Sequence, residues 1–159
     1  MQEIFSSLDQ LDVSYTVHEH PPVYTCEEAD VHYTNIKGAR SKNLFLRDKK
    51  GKQHFLVTLE ADKQVDLKGL ASSLGEDKIS FASEKRLLKY LNVTPGSVSP
   101  FGLIFDQETH VKFFVSKGLL QDETQLFHPN DNTKTLALST DDFKSFIGSL
   151  SHQVTFLDL

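Results

Sequence analysis

The chain of 159 residues has no tryptophan, a single cysteine, a single methionine and five prolines. It also has no apolar run approaching the roughly 18 residues that a membrane span needs. Its first residues, Met1-Gln2-Glu3-Ile4-Phe5, do not show the basic-then-apolar order of a secretory signal. These absences predict a cytoplasmic protein with no membrane partner. Cys26 alone excludes an intrachain disulfide framework and a cysteine-rich zinc site, which suits a reducing compartment. No GxGxxG or GxxxxGK[ST] pattern occurs, so no phosphate-cradling loop for a nucleotide cofactor is expected. What is abundant is phenylalanine, twelve residues of it, and a core of Phe and Leu follows. The length is that of one ordinary domain, 1–159, able to bury roughly 70% of the surface its unfolded chain exposes.

Positive charge is also scarce overall: the formal net charge is −5. Binding along the length of a nucleic acid is driven by neutralising phosphates, so an acidic chain is not expected to coat DNA or RNA. The charge is unevenly spread, however. Lys37, Arg40, Lys42, Arg47, Lys49, Lys50 and Lys52 fall in one short stretch that contains a single acid, Asp48. Such a zone on an acidic body suits a short contact with one end of a polyanion, and a lysine-rich hairpin tip in solvent is the plainer alternative.

Apolar spacing at Ile4, Phe5, Leu8 and Leu11 predicts a helix, followed by an alternating strand over Ser14–His18. His20-Pro21-Pro22 stops that strand, because proline cannot donate to a ladder. Thr25, with Glu28 three residues on, reads as the cap of a short helix. Asn43–Arg47 and His54–Leu59 read as a hairpin about Asp48–Lys52, with Gly51 for the positive-φ position. A helix from Asp66 ends at Gly75, Ile79–Ala82 is a short strand, and Ser83 opens a helix carrying Leu87, Leu88 and Leu91. After the turn Thr94-Pro95-Gly96 comes the apolar run Phe101–Phe105. Val111–Val115 and Thr135–Leu138 read as strands, Asp141–Leu150 as a helix, and Val154–Leu157 as a last strand. The order predicts a mixed α/β fold with a curved, barrel-like mixed sheet flanked by helices.

Few residues have the pattern of a reactive site. Cys26 falls near a helix start, where the dipole favours a thiolate, but no spacing supplies a histidine partner. His18 and His20 alternate along a strand and provide at most two metal ligands, so no metal site is expected. The loop Gly96-Ser97-Val98-Ser99-Pro100 is better composed for binding: glycine permits close backbone approach and proline presets the far end. A simple turn into the next element has the same composition. Lys42, Asn43, His128, Asn132 and Thr133 are polar residues placed to meet such a loop.

Taken in order, four motifs resemble the YbaK/prolyl-tRNA synthetase-associated domain family over nearly the whole chain. They are His20-Pro21-Pro22-Val23-Tyr24-Thr25, Ser41-Lys42-Asn43-Leu44-Phe45-Leu46, Pro95-Gly96-Ser97-Val98-Ser99-Pro100-Phe101, and Phe127-His128-Pro129-Asn130 with Asn132 and Thr135. Within the family the chain is most similar to the freestanding branch that deacylates alanyl-tRNA(Pro). The resemblance implies a trans-editing hydrolase that cleaves the ester joining a wrong amino acid to the terminal adenosine, with no metal or other cofactor. A proline pocket cannot strongly reject a smaller residue, so a second sieve is physically required. It implies that Lys42 holds the substrate end of the tRNA, that Gly96–Pro100 positions the aminoacyl group, and that His128 has a positional role. It implies further that Val23, Tyr24 and Thr25 line the small pocket for alanine, with polar contacts from Asn43, Ser97, Val98, Ser99, Pro100, Asn132 and Thr133. Lys37, Arg40, Arg47, Lys49 and Lys50 would then meet acceptor-stem phosphates, and prolyl-tRNA synthetase is a possible partner. Deacylation of cysteinyl-tRNA(Pro) or a seryl-tRNA, and a non-catalytic tRNA- or synthetase-binding module, stay open as alternatives.

Overall fold

The structure, a computed structural model, describes residues 2–22 and 36–159. The predicted helix from Thr25, the pocket residues Val23, Tyr24 and Thr25, and Cys26 lie outside the described residues. The chain order is α1 (Gln2–Gln10), β1 (Tyr15–Glu19), β2 (Ala39–Asp48), β3 (His54–Glu60), α2 (Leu67–Leu74), β4 (Ile79–Phe81), α3 (Glu84–Leu91), a 3-10 helix (Pro100–Phe105) and β5 (Val111–Ser116). A second 3-10 turn (Gly118–Gln121), β6 (Thr124–Phe127), β7 (Lys134–Ser139), α4 (Thr140–Ser149) and β8 (Val154–Leu157) complete it.

The helices begin and end where local chemistry dictates. The Asp66 carboxylate accepts from the Gly69 amide at 2.5 Å, and Gly75, at φ 77°, closes α2 in the left-handed conformation that a side chain disfavours. Ser83 and Ser139 cap α3 and α4 by accepting from Arg86 N at 3.3 Å and Asp142 N at 3.0 Å. The run Phe101–Phe105 becomes a 3-10 helix with Pro100 at its first position, where a missing N–H costs nothing. Gly102 packs against the Leu91 carbonyl so closely that a Cβ there would sit 3.0 Å from its oxygen.

The strands form one eight-stranded mixed sheet in the order β1-β7-β6-β2-β3-β5-β8, with β4 also paired to β2. It is curved but stays open, with β1 and β8 as its edges. The parallel pairs are β2 with β6, β3 with β5, and β5 with β8. Because successive side chains point to opposite faces, each strand supplies two layers. One face carries Phe45, Leu56, Phe113, Phe127 and Leu136 into the main core with α1, α3, α4 and the 3-10 helix. There Phe101 meets Phe127 and Phe146 edge-on, at 5.7 and 5.1 Å between centroids. The other face carries Leu46, Phe55, Val57, Leu59 and Phe114 into a smaller core under α2.

Strand β2 starts at Ala39, four residues before the predicted Asn43, and β6 has no sequence counterpart among the predicted strands. Both differences concern polar strand ends. In β6 the buried Gln125 is made acceptable by donating to the Leu119 carbonyl at 2.8 Å and to Thr140 Oγ1 at 2.9 Å. No described helix is long and apolar enough to cross a membrane.

Candidate active site

Strand register determines which polar residues share a face. β1 pairs with β7 through His18 opposite Thr135, and the main-chain bond His20 N to Thr133 O continues the ladder. β7 pairs with β6 through Ala137 opposite Leu126, and β6 runs parallel to β2 with Leu126 beside Arg40. The β2–β6 register ends at Arg40 beside Leu126; Lys42 follows two residues along β2 on the face of Arg40, and His128 directly follows β6. That face is apolar and covered by α2 in the β2-β3-β5 half of the sheet; in the β1-β7-β6-β2 half it carries the polar Thr16, His18, Thr135, Arg40 and Lys42 around Ala137 and the buried Leu126. The change occurs along β2 itself, at Lys42-Asn43-Leu44.

The imidazoles on this polar half-face have defined protonation. His128 Nδ1 lies 2.8 Å from the Lys134 carbonyl, which can only accept, so Nδ1 carries the proton and Nε2 presents a lone pair. Burial pushes the His128 imidazole below the ordinary histidine value; the Lys134 carbonyl and Asp131 oppose this, and His20 reinforces it. The same logic makes His20 Nδ1 a donor to the Pro21 carbonyl at 2.8 Å, and its Nε2 lies 2.8 Å from the Thr135 hydroxyl. The two rings lie 6.0 Å apart. The adjoining turn is held by Asp131, which accepts from Thr133 N at 2.9 Å and Thr133 Oγ1 at 2.6 Å and pairs with Lys134 at 3.3 Å. Burial raises the Asp131 carboxyl, but these bonds prevail and hold it below its ordinary value. Asn132 lies half-buried in the same turn. Lys42 is half-buried and donates from Nζ to the Lys63 carbonyl in the loop leading to α2.

Asn43 points to the opposite face. Its Oδ1 accepts from the buried Thr58 hydroxyl at 2.6 Å, and it lines a recess of about 230 Å³ with Phe45, Phe81, Leu87, Gly96 and Val98. Gly96 takes φ 91°, a conformation that glycine adopts without strain. Ser97 and Ser99 are buried, as is Pro100. Ser99 Oγ donates to Asn130 Oδ1 at 3.2 Å, and Asn130 Nδ2 donates to the Leu91 carbonyl at 2.9 Å. Asn130 thereby clamps the loop after β6 onto the Gly96–Pro100 loop.

The structure therefore divides the predicted residues rather than gathering them in one group. Lys42 lies on the Arg40 face of β2, His128, Asn132 and Thr133 lie in the segment between β6 and β7, and Asn43, Gly96 and Val98 share the recess on the other side of β2. The basic zone also divides. Lys37 and Arg40 are at one end of β2, and Arg47, Lys49 and Lys50 are at the other, about 30 Å away at the usual rise for a strand of this length. Sequence reasoning assigned no role to His20, Thr58, Asn130 or Thr135. His20 and Asn130 were visible in the motifs beside proline, but only register shows what they hold. A separate recess of about 330 Å³, around Asp106 and His152, contains none of the predicted residues. Among the described residues no group of three or more His, Cys, Asp or Glu is arranged to hold a metal ion.

The model of the aminoacyl-tRNA editing domain matches residues 20–146. The chain is 44% identical to the prolyl-tRNA editing protein ProX of Acetoanaerobium sticklandii over 147 residues, which is 92% of this chain and 89% of that one. It is 38% identical to prolyl-tRNA synthetase associated domain-containing protein 1 of Bos taurus, over 98% of this chain and 95% of the relative. A crystal structure of a candidate trans-editing enzyme for prolyl-tRNA synthetase superposes with a TM-score of 0.74 at 18% identity, covering 99% of this chain and 96% of that one. The chain belongs to the aminoacyl-tRNA editing domain family. It is thus a deacylase of the class that hydrolyses mischarged aminoacyl-tRNA.

Proposed function

We propose that this deacylase acts in trans on tRNA(Pro) carrying alanine, and that the polar half-face with Lys42 and His128 is where the ester is cleaved. The observation that supports this reading most strongly is His128, held by the Lys134 carbonyl with its ring 6.0 Å from that of His20 in the chain's own His20-Pro21-Pro22 segment, while β6, which leads into it, runs beside the β2 strand that carries Lys42. Water adds to the ester carbonyl, the carbon–oxygen bond to the ribose breaks, and alanine leaves as the tRNA regains its terminal hydroxyl. Lys42 supplies a positive charge to the substrate end or to the oxygen on which negative charge develops, after leaving the Lys63 carbonyl. His128 Nε2 accepts a hydrogen bond from the substrate or water and keeps its orientation through the Lys134 carbonyl. The Gly96–Pro100 loop, clamped by Asn130 to the turn that follows His128, acts from the opposite face by holding that turn in place, and the adenosine's own hydroxyl helps to activate the water. Val23, Tyr24 and Thr25 follow directly on the His20–Pro22 segment and are the residues proposed to limit the pocket to a small side chain.

The name of the ProX relative supports editing of a prolyl-tRNA. An 82-residue stretch, half of this chain, is also 32% identical to part of a proline–tRNA ligase of Chlamydia trachomatis, covering 14% of that enzyme. Prolyl-tRNA synthetase is accordingly the proposed protein partner, and the translation machinery of the cytoplasm the proposed setting. The test is ester loss from alanyl-tRNA(Pro), cysteinyl-tRNA(Pro) and a seryl-tRNA measured side by side. Fastest turnover of the alanyl form is expected; faster turnover of either other substrate would replace alanine in this proposal.

A further inference from the structure

The far end of β2, remote from Lys42, has a charge pattern that the cleavage site does not use. The tip between β2 and β3 presents Lys49, Lys50 and Lys52, the first two and Lys52 all exposed. The single acid of this tip, Asp48, is tied to the tip's own backbone: its carboxylate accepts from the Gln53 and Lys52 amides at 3.1 and 2.8 Å, which holds it below the ordinary carboxylate value. Helix α3 is fastened to the tip, because Arg86 Nη1 donates to the Gly51 carbonyl at 3.0 Å and to His54 Nε2 at 2.8 Å. The exposed side of α3 shows Lys85 and Lys89, one helical turn apart, with Leu88 between them. Lys89 Nζ sits 5.1 Å above the Tyr90 ring. The acids that flank this surface in the chain are Glu76 and Asp77 before β4, whose Ile79 pairs with Asp48, and Glu84 in the first turn of α3, which lines the recess with Gly96.

We propose that the tip and the outward side of α3 form one cationic platform for the phosphate backbone of a double-helical RNA stem, and that Lys37 and Arg40 do not belong to it. This inference rests on the reading that the acyl end of a tRNA lies at Lys42. From Lys42 to Lys49 the strand and tip run seven residues, about 23 Å at the rise of a β-strand. That is a span an unpaired 3′ tail bridges before its duplex begins. The rings at this end, Phe45, His54, Tyr90 and His110, are stacked on one another rather than offered to bases, with Tyr90 and His110 4.7 Å apart and nearly parallel. Phe81 in β4 is exposed but lines the recess with Gly96, and the lysines themselves have no stack of open rings between them, an arrangement that suits regularly spaced phosphates more than a run of unstacked bases. The Arg86 bonds fix the two halves of the platform relative to each other, so little ordering is needed on contact.

The experiment compares two substrates, an alanylated acceptor-stem minihelix and an alanylated single-stranded oligonucleotide with the same 3′ end. The proteins are the wild type, Lys49→Glu/Lys50→Glu, Lys85→Glu/Lys89→Glu and Lys37→Glu/Arg40→Glu. For the first two double variants, kcat/KM on the minihelix is expected to fall about 10- to 100-fold more than on the single strand. That gap should close as salt rises from about 50 to about 200 mM, because released counterions set the affinity. Equal losses on both substrates, no loss on the minihelix, or a duplex-specific loss confined to the Lys37/Arg40 variant would each overturn the platform. Binding of a non-hydrolysable 3′-amide minihelix, followed by fluorescence anisotropy, separates this proposal from the functional reading. Wild-type binding that weakens about tenfold in the Lys85/Lys89 variant supports the platform even if no ester is cleaved, and equal binding refutes it.

Discussion

Two histidine pairs stand at opposite ends of β2, and their difference separates packing from chemistry. At the tip, His54 is fully buried and both its nitrogens are engaged: Nε2 accepts from Arg86 at 2.8 Å, so Nδ1 donates to His110 Nε2 at 2.9 Å. Burial, then the charges of His110 and Arg86, lower the His54 imidazole to about 4. At the other end His128 is also held neutral by burial, yet only its Nδ1 is engaged, by the Lys134 carbonyl. A neutral imidazole with both nitrogens satisfied is a structural joint. One with an oriented lone pair to spare is equipped to meet a substrate.

The largest effect expected is at the open end. Lys42→Ala should lower deacylation by two or more orders of magnitude, as loss of a charge-assisted contact made mainly in the transition state does. Its thermal midpoint should stay close to wild type, because the bond to Lys63 is only half-buried. Single-turnover ester loss and a melting curve on the same protein decide it; a fully active Lys42→Ala protein would end the proposed mechanism and leave the two ends of β2 functionally alike.

Next in size is His128→Gln, expected to cost about tenfold in kcat/KM through loss of an oriented acceptor. The wild-type profile adds a test of sign. A lone pair at Nε2 is present above the His128 value and lost as pH falls through it, and that value lies below 6.5 because burial lowers it. Activity should therefore hold from neutrality down past pH 6.5 before declining, and His128→Gln should remove that acid limb. A limb midpoint above 6.5 would assign the titration to another group.

Much of this architecture was legible in the chain. The helix caps Asp66, Ser83 and Gly75 and the hairpin about Gly51 are local chemistry, and local chemistry can be read from neighbours in sequence. The motifs around Lys42, Gly96 and His128 are legible for the same reason. What could not be read was the face on which each residue lies. Lys42 and Asn43 are adjacent in sequence and were expected in one pocket, but a strand sends neighbours to opposite sides, and only the pairing of β2 with β3 and the unpredicted β6 shows what each side meets. The basic stretch misleads in a related way: it looks compact because its residues are close in number, while a ten-residue strand carries its two halves far apart. Charge proximity across α3 and the tip, by contrast, links residues 51 and 86 and has no sequence signature at all.

The closed end predicts a stability effect rather than a catalytic one. His54 takes up a proton near 6.5 when unfolded but only near 4 when folded, so the unfolded chain binds more protons between these values. Stability should thus decline as pH drops from about 6.5 toward 4. His54→Gln, which can still accept from Arg86 and donate to His110, should flatten that decline. Urea midpoints at several pH values measure it, and an unchanged slope would show that His54 does not govern acid sensitivity.

The smallest effect expected tests the link between the recess and the polar half-face. Ser99→Ala removes the hydroxyl that donates to Asn130 Oδ1 and leaves that buried oxygen one donor short, at a cost of about 1 kcal/mol. If the clamp does no more than stabilise, kcat/KM at saturating stability should be unchanged. If it holds the loop after β6 in place for His128, activity should fall by more than the unfolded fraction accounts for, and the loss should vanish in a Ser99→Ala/His128→Gln double variant compared with His128→Gln alone. Such non-additivity would tie the residues behind the sheet to those in front of it through Asn130, whereas simple additivity would leave Asn43, Gly96 and Ser99 as scaffold.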